Sequence, residues 1–226
     1  MIGLKHEYLS VESGGTRSYG GNQTWSGEAL LRKSGCGVIA ATDLLLYLHR
    51  YREKCQAEVF AKAPKCGAIP LVQYNCFTNR LRKKYFPVIP HLGTTGFGIA
   101  AGLNFFFRAY RLPLRARWAV WSEEIWAQAA QMLADDLPVI CSIGQNIPFF
   151  WRKHKVRLYV KTSDNTYQSS SSVKAHYVTI TGIDSHWLRV SSWGKEYYIN
   201  REEFGRYVKK HSSYFVSNIV CVKPKT

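Results

Sequence analysis

The sequence predicts an α+β fold, with helices in its first half and an antiparallel sheet in its second. Three observations lead there. From Val38 to Tyr51, Val38, Ile39, Ala41, Leu44, Leu45, Leu48 and Tyr51 recur at spacings of three and four, the period of a helix with one apolar side. After Pro138 the pattern changes to short β-branched and aromatic runs separated by turn residues. The links between several of those runs are too short for crossovers, so neighbouring strands must run antiparallel. With 226 residues and 46% apolar content, the chain fits one domain of two lobes and can bury a substantial core. The expected division is a helical lobe over about residues 1–137 and a sheet lobe over about 138–226.

Each element has its own signal. Residues 10–35 are rich in Gly, Ser and polar groups and read as irregular. Ser34-Gly-Cys-Gly37 opens the long helix, expected to run to about Arg52. Leu46 and Tyr47 fill most of its remaining surface, which marks a helix buried nearly all round. A second helix is expected over 73–84, ending before Pro87. Gly93-Thr-Thr-Gly-Phe-Gly98 reads as the entry to a third helix over roughly 98–110, in preference to a loop lining a substrate site. Ser122 can cap a fourth, with Glu123 and Glu124 in its first turn and an end near Asp136. Strands are expected at Val139–Ile143, Val156–Lys161, Tyr177–Thr181, Trp187–Val190, Glu196–Ile199 and Tyr214–Val222. Asp164–Ser172 reads as a polar loop and Gly182–His186 as a hairpin connection. Asn200 and Glu203 form the cap of a further helix. The aromatic run Phe149-Phe-Trp151, with Asn146 before it, is expected as core or lobe contact.

Composition narrows the function classes. With 31 basic and 15 acidic side chains the net charge is +16, which favours anionic surroundings. The basic residues are scattered, no run reaches six like charges, and no nucleic-acid-binding motif appears. They are read as a solvated surface, and nucleic acid is not expected as the main partner. No apolar stretch reaches the ~18 residues of a spanning helix. The opening Met1–Tyr8 lacks a leader pattern, so a cytoplasmic protein is expected, or a secreted one whose leader lies outside this sequence. The six cysteines are expected as reduced thiols. Cys55, Cys66 and Cys76 have no Cys-x-x-Cys spacing and the histidines no i, i+4 pair, so neither metal nor cofactor is expected.

Three residues carry candidate chemistry. Cys36 lies between two glycines at the first turn of a buried helix. Helix-terminal amides favour a thiolate there, and the glycines leave the sulfur uncrowded. His176 opens a strand 140 residues later, placed to take the thiol proton. Gln23, 13 residues before Cys36, can donate an amide to a tetrahedral oxyanion beside the Cys36 backbone N–H. Cys36 and His176 are then expected to share one groove.

Gln23…Trp25…Ser34-Gly-Cys-Gly37, Ala175-His-Tyr-Val-Thr-Ile-Thr-Gly-Ile-Asp184 and Val190-Ser-Ser-Trp-Gly194 together resemble papain-like cysteine peptidases. The branch they resemble most is the bacterial one that removes bacteriocin leaders after double glycines. The resemblance covers these stretches alone. It implies a papain-like two-lobed fold, hydrolysis of a peptide or amide bond through a Cys36 thioester, and a preference for small residues before that bond. It also implies a third residue, Asp or Asn, that orients the histidine shortly before Trp-Gly. That position falls at Ser191, which can accept a hydrogen bond but brings no charge; Asp184 is the alternative. Passing the acyl group to an amine uses the same Cys/His pair. A catalytically weak binding module for an anionic partner is the reading from another class.

Overall fold

The computed structural model describes residues 1–121 and 124–225. Strands Ile2–Gly3 (β1), Val11–Ser13 (β2) and Thr16–Arg17 (β3) and a short helix, Ala29–Ser34 (α1), precede the long apolar helix. That short helix lies in the stretch expected to be irregular, because six residues are too few to establish a period. Cys36–Tyr51 (α2) then forms as its pattern requires, with every residue from Gly37 to Leu48 buried. Its polar members are satisfied locally. Thr42 donates back to the Val38 carbonyl at 2.8 Å, and Asp43 is held by a tyrosine pair described below.

Ile69–Pro70 (β4) pairs in parallel with β2, which pairs antiparallel with β3, giving a small three-stranded sheet. Leu71–Lys84 (α3) begins two residues before its expected start. Gly96–Ala109 (α4) is capped by Thr95, whose hydroxyl accepts from the Gly98 N–H at 3.0 Å. Leu114–Trp118 (β5), alternately buried and exposed, was not expected in the helical half. Ile125–Ala134 (α5) follows; Ser122 and Glu123, its expected cap and part of its expected first turn, lie outside the described residues, and Glu124 stands at the residue before the helix instead of in its first turn.

The remaining strands are Val139–Ile143 (β6), Val156–Lys161 (β7), Tyr167–Val173 (β8), His176–Ile183 (β9), Trp187–Ser192 (β10), Lys195–Asn200 (β11) and Ile219–Pro224 (β12). Helix Arg201–His211 (α6) precedes the last of them, with Asn200 accepting from Glu203 N–H at 3.0 Å. They form one large antiparallel sheet in the order β5-β12-β6-β9-β10-β11-β7-β8, with β1 added on β9. The fold is therefore α+β. The division into a helical and a sheet half is incomplete, since β1 and β5 join the sheet and α6 lies among its strands.

Every residue of β6 is buried, which requires cover on both faces, and both α2 and α5 pack against it and against β9. Two expectations fail on the far side of the sheet. Most of the polar stretch expected as a loop is the edge strand β8, where Ser169 and Ser170 are exposed and Ser171 and Ser172 half-buried, so no alternation shows. The Phe149–Trp151 run is not core: the three rings are 40%, 56% and 74% exposed. Asn146 explains why. Its carboxamide accepts from the His154 N–H and donates to the His154 carbonyl, both at 3.1 Å, closing the loop's base and holding its tip away from the body.

Candidate active site

The site lies where the start of α2 meets the start of β9. Cys36 is the first residue of α2 and is half-buried. Its flanking glycines are sterically required. A Cβ on Gly35 would sit 2.5 Å from the Leu31 carbonyl oxygen, and one on Gly37 2.9 Å from Ile99. Backbone amides of Tyr177, Gly37 and Cys36 itself pull the thiol pKa down, yet burial outweighs them and leaves it raised. Burial therefore works against the thiolate that the helix start was expected to favour. A helix start supplies favourable amides but not enough to offset lost hydration.

His176 is buried, 7% exposed, and burial lowers its pKa to about 4. Its Nε2 lies 2.8 Å from the Ser192 hydroxyl. In the tautomer with the proton on Nε2, that bond leaves Nδ1 as the basic nitrogen. The Trp193 ring packs over the imidazole at 4.7 Å between centroids, shielding the bond from water. Burial thus favours the neutral form of both groups.

The hydrogen bond to His176 expected of Ser191 is made by its neighbour Ser192. Ser191 donates to the Tyr19 carbonyl at 2.7 Å instead. Successive strand residues face opposite ways, so only one of two adjacent serines can reach the histidine. Asp184 is no substitute: its carboxylate accepts from His186 and Trp187 N–H at the far end of β9.

Gln23 reaches the site through a clamped loop. In the hairpin linking β10 and β11, Trp193 and Gly194 have φ of 49° and 73°, the positive pair that a two-residue turn needs. That turn bonds the N-terminal segment three times: Tyr19 N–H to Gly194 O at 2.8 Å, Gly194 N–H to Gly21 O at 2.9 Å, and Asn22 Nδ2 to Trp193 O at 3.1 Å. Gln23 follows directly, and its Nε2 donates to Arg32 O at 2.9 Å. One amide hydrogen is so anchored and the other is free for an oxyanion.

Asp43 supports this loop from below and was not singled out from the sequence. It accepts from Gly21 N–H at 3.0 Å, Tyr74 Oη at 2.7 Å and Tyr8 Oη at 3.1 Å. Burial raises its pKa to about 6 despite those donors. The available signal was its position seven residues after Cys36, two helical turns along the same face, as the one acidic residue in an apolar helix.

Two cavities meet at the pair. A small one of about 20 Å³ lies behind it, bounded by Gln23, Cys36, Asp43, His176, Ser191 and Ser192. In front opens a cleft of about 300 Å³, whose walls again include Gln23, Cys36 and His176. Gly93–Phe97 leads into α4, as expected of a helix entry, and also lines this cleft. Phe97, Trp118 and Phe215 form an aromatic wall, with Phe97 centred 6.3 Å from Trp118 and 5.7 Å from Phe215.

Fold and site thus define an α+β protein with a cysteine and a histidine facing a common cleft. Among known proteins, no family model matches the chain and no curated protein matches it significantly.

Proposed function

We propose that the chain is a papain-like cysteine hydrolase acting on a peptide or amide bond, related in its motifs to the bacterial leader peptidases. The observation that carries this reading is the shared lining of one cleft by Cys36, His176 and Gln23, with His176 held by a hydroxyl through its Nε2. The Cys36 S–H passes its proton to His176 as the sulfur attacks the substrate carbonyl carbon. Gln23 Nε2 and the Cys36 N–H stabilise the oxyanion. Collapse breaks the C–N bond, the amine leaves with the proton from His176, and a thioester remains. Water, deprotonated by His176, then releases the acid and the thiol. An amine in place of water would make the protein an acyl transferase. The aromatic wall supports a substrate with a bulky apolar group in front of the pair, which differs from the small residues implied by the family likeness.

Because burial favours the neutral forms of thiol and imidazole, proton transfer belongs to the attack step and reactivity depends on His176. Intact-mass measurement with an electrophilic peptide should find one adduct on the wild type and none at that position in Cys36→Ala. His176→Ala should slow trapping by about 10²–10⁴-fold, the usual contribution of a general base. Adduct formation on Cys36 at an unchanged rate in His176→Ala would overturn the dyad.

One observation favours a second reading. Ser192 brings no negative charge to the imidazole, so this geometry also suits a papain-like binding module with little turnover. In that case Cys36 would resist iodoacetamide no less than buried Cys55 and Cys221 do.

A further inference from the structure

Outside the Cys–His pair, the most unusual surface is the loop 148–155, Pro-Phe-Phe-Trp-Arg-Lys-His-Lys, in which all eight residues are exposed. Soluble surfaces rarely show three consecutive bare aromatic rings, and such a cluster marks an interaction site. Phe150 and Trp151 are more than half exposed, yet the loop is firmly based. Asn146 closes it, Lys174 Nζ donates to the Arg152 carbonyl at 2.6 Å, and the Arg152 guanidinium lies 4.3 Å over the Phe149 ring.

Its charge is one-sided. No Asp or Glu occurs between Asp136 and Asp164, nor between Asp164 and Asp184, and the loop itself carries Arg152, Lys153 and Lys155. Its position is specific too. Gly144 and Gln145, just before it, and Ala175, just after Lys174, line the cleft in front of Cys36. Among the described residues none that lines the cleft is acidic, and Phe97 and Phe215 at its mouth are 51% and 55% exposed.

We propose that this loop docks the mouth of the cleft onto an anionic lipid bilayer. Aromatic rings settle at the depth of the headgroups, and lysine and arginine beside them meet the anionic surface. A bilayer satisfies both features together. A nucleic-acid strand would call for basic residues tracking its backbone along a groove, whereas here they stand directly behind a compact aromatic tip. The consequence for the site is that substrate reaches Cys36 from the membrane side.

Flotation with vesicles tests it, comparing equal parts phosphatidylglycerol and phosphatidylcholine with phosphatidylcholine alone. The wild-type protein should float with the anionic vesicles only. Because docking does not use the thiol, Cys36→Ala should float equally well, so loss of catalysis and loss of docking are separately visible. Phe150→Ser combined with Trp151→Ser should weaken binding tenfold or more, as loss of two buried rings requires. Lys153→Gln and Lys155→Gln should each cost about fivefold, the effect of one surface cation near anionic lipid. Both kinds of variant alter exposed side chains, and circular dichroism checks that the fold is kept. Failure to float with anionic vesicles, or undiminished flotation of the Phe150/Trp151 variant, would overturn the proposal. So would binding of a single-stranded oligonucleotide through Trp151 in place of vesicles.

Discussion

The two cavities at Cys36 and His176 differ most in size and in the residues that line them. Behind the pair the space is small, and Asp43, Ser191 and Ser192 on its wall are each tied to a named partner. In front it is fifteen-fold larger, rimmed by glycines, threonines and aromatic rings, with several of those rings half in solvent (about 300 against 20 Å³). The contrast separates positioning from recognition. On the proposed function, the rear would position the thiol, imidazole and glutamine amide, and the front would meet the substrate.

The sharpest way to probe the rear is through pH, because its two buried ionisable groups act in opposite directions. His176 has a folded pKa of about 4 against 6.5 for the free side chain. Its contribution to stability is complete above 6.5 and is lost as pH falls toward 4, about 3 kcal/mol in all. Asp43 is raised from 3.8 to about 6. Its contribution is complete below 3.8 and lost as pH rises through 6, again about 3 kcal/mol. In the wild type the two largely offset one another between pH 4 and 6.5. Urea unfolding at several pH values should find His176→Gln gaining stability on acidification relative to the wild type, and Asp43→Asn losing it. Identical pH slopes in all three proteins would remove the contrast between rear and front.

A smaller effect separates the two spaces by packing. A Cβ on Gly21 would fall 1.8 Å from the Tyr74 hydroxyl oxygen, so Gly21→Ala must displace the tyrosine or the loop. It should cost about 1–3 kcal/mol of stability and reduce kcat through Gln23. Phe97→Ala, at the front, should leave unfolding within about 0.5 kcal/mol and appear instead as a raised KM. A KM effect from the glycine and a stability effect from the phenylalanine would reverse the assignment.

The finest distinction lies between adjacent serines. Ser192→Ala removes the hydroxyl on His176 Nε2 and should lower kcat with KM nearly unchanged. Ser192→Asp should move the acid limb of the rate profile upward from about 4, since a carboxylate favours the imidazolium. Ser191→Ala should do neither, and cost about 1 kcal/mol of stability through the lost bond to Tyr19. Equal kinetic effects from both serines would show that the hydroxyl contacts do not orient the histidine.

Much of this arrangement was legible in the residue pattern. The buried helix, the order of most strands, the Asn200 cap and the candidacy of Cys36, His176 and Gln23 all rest on local spacing, which a linear sequence records directly. The shared cleft agrees with the groove expected for Cys36 and His176. Other features were less visible. The strand β8 is polar on both faces, and β5 sits apart from the other strands in sequence, so neither announces its partner.

Sequence alone determined what depends on neighbours along the chain: helical periodicity, the glycines around Cys36, the excess of positive charge and the aromatic-basic run at 149–155. Tertiary structure decided what depends on distance through space. It selected Ser192 over Ser191, placed Asp43 beneath the glutamine loop, raised the thiol pKa and turned Phe149–Trp151 outward. Burial and hydrogen-bond partners arise from segments far apart in the chain, and desolvation depends on all of them together.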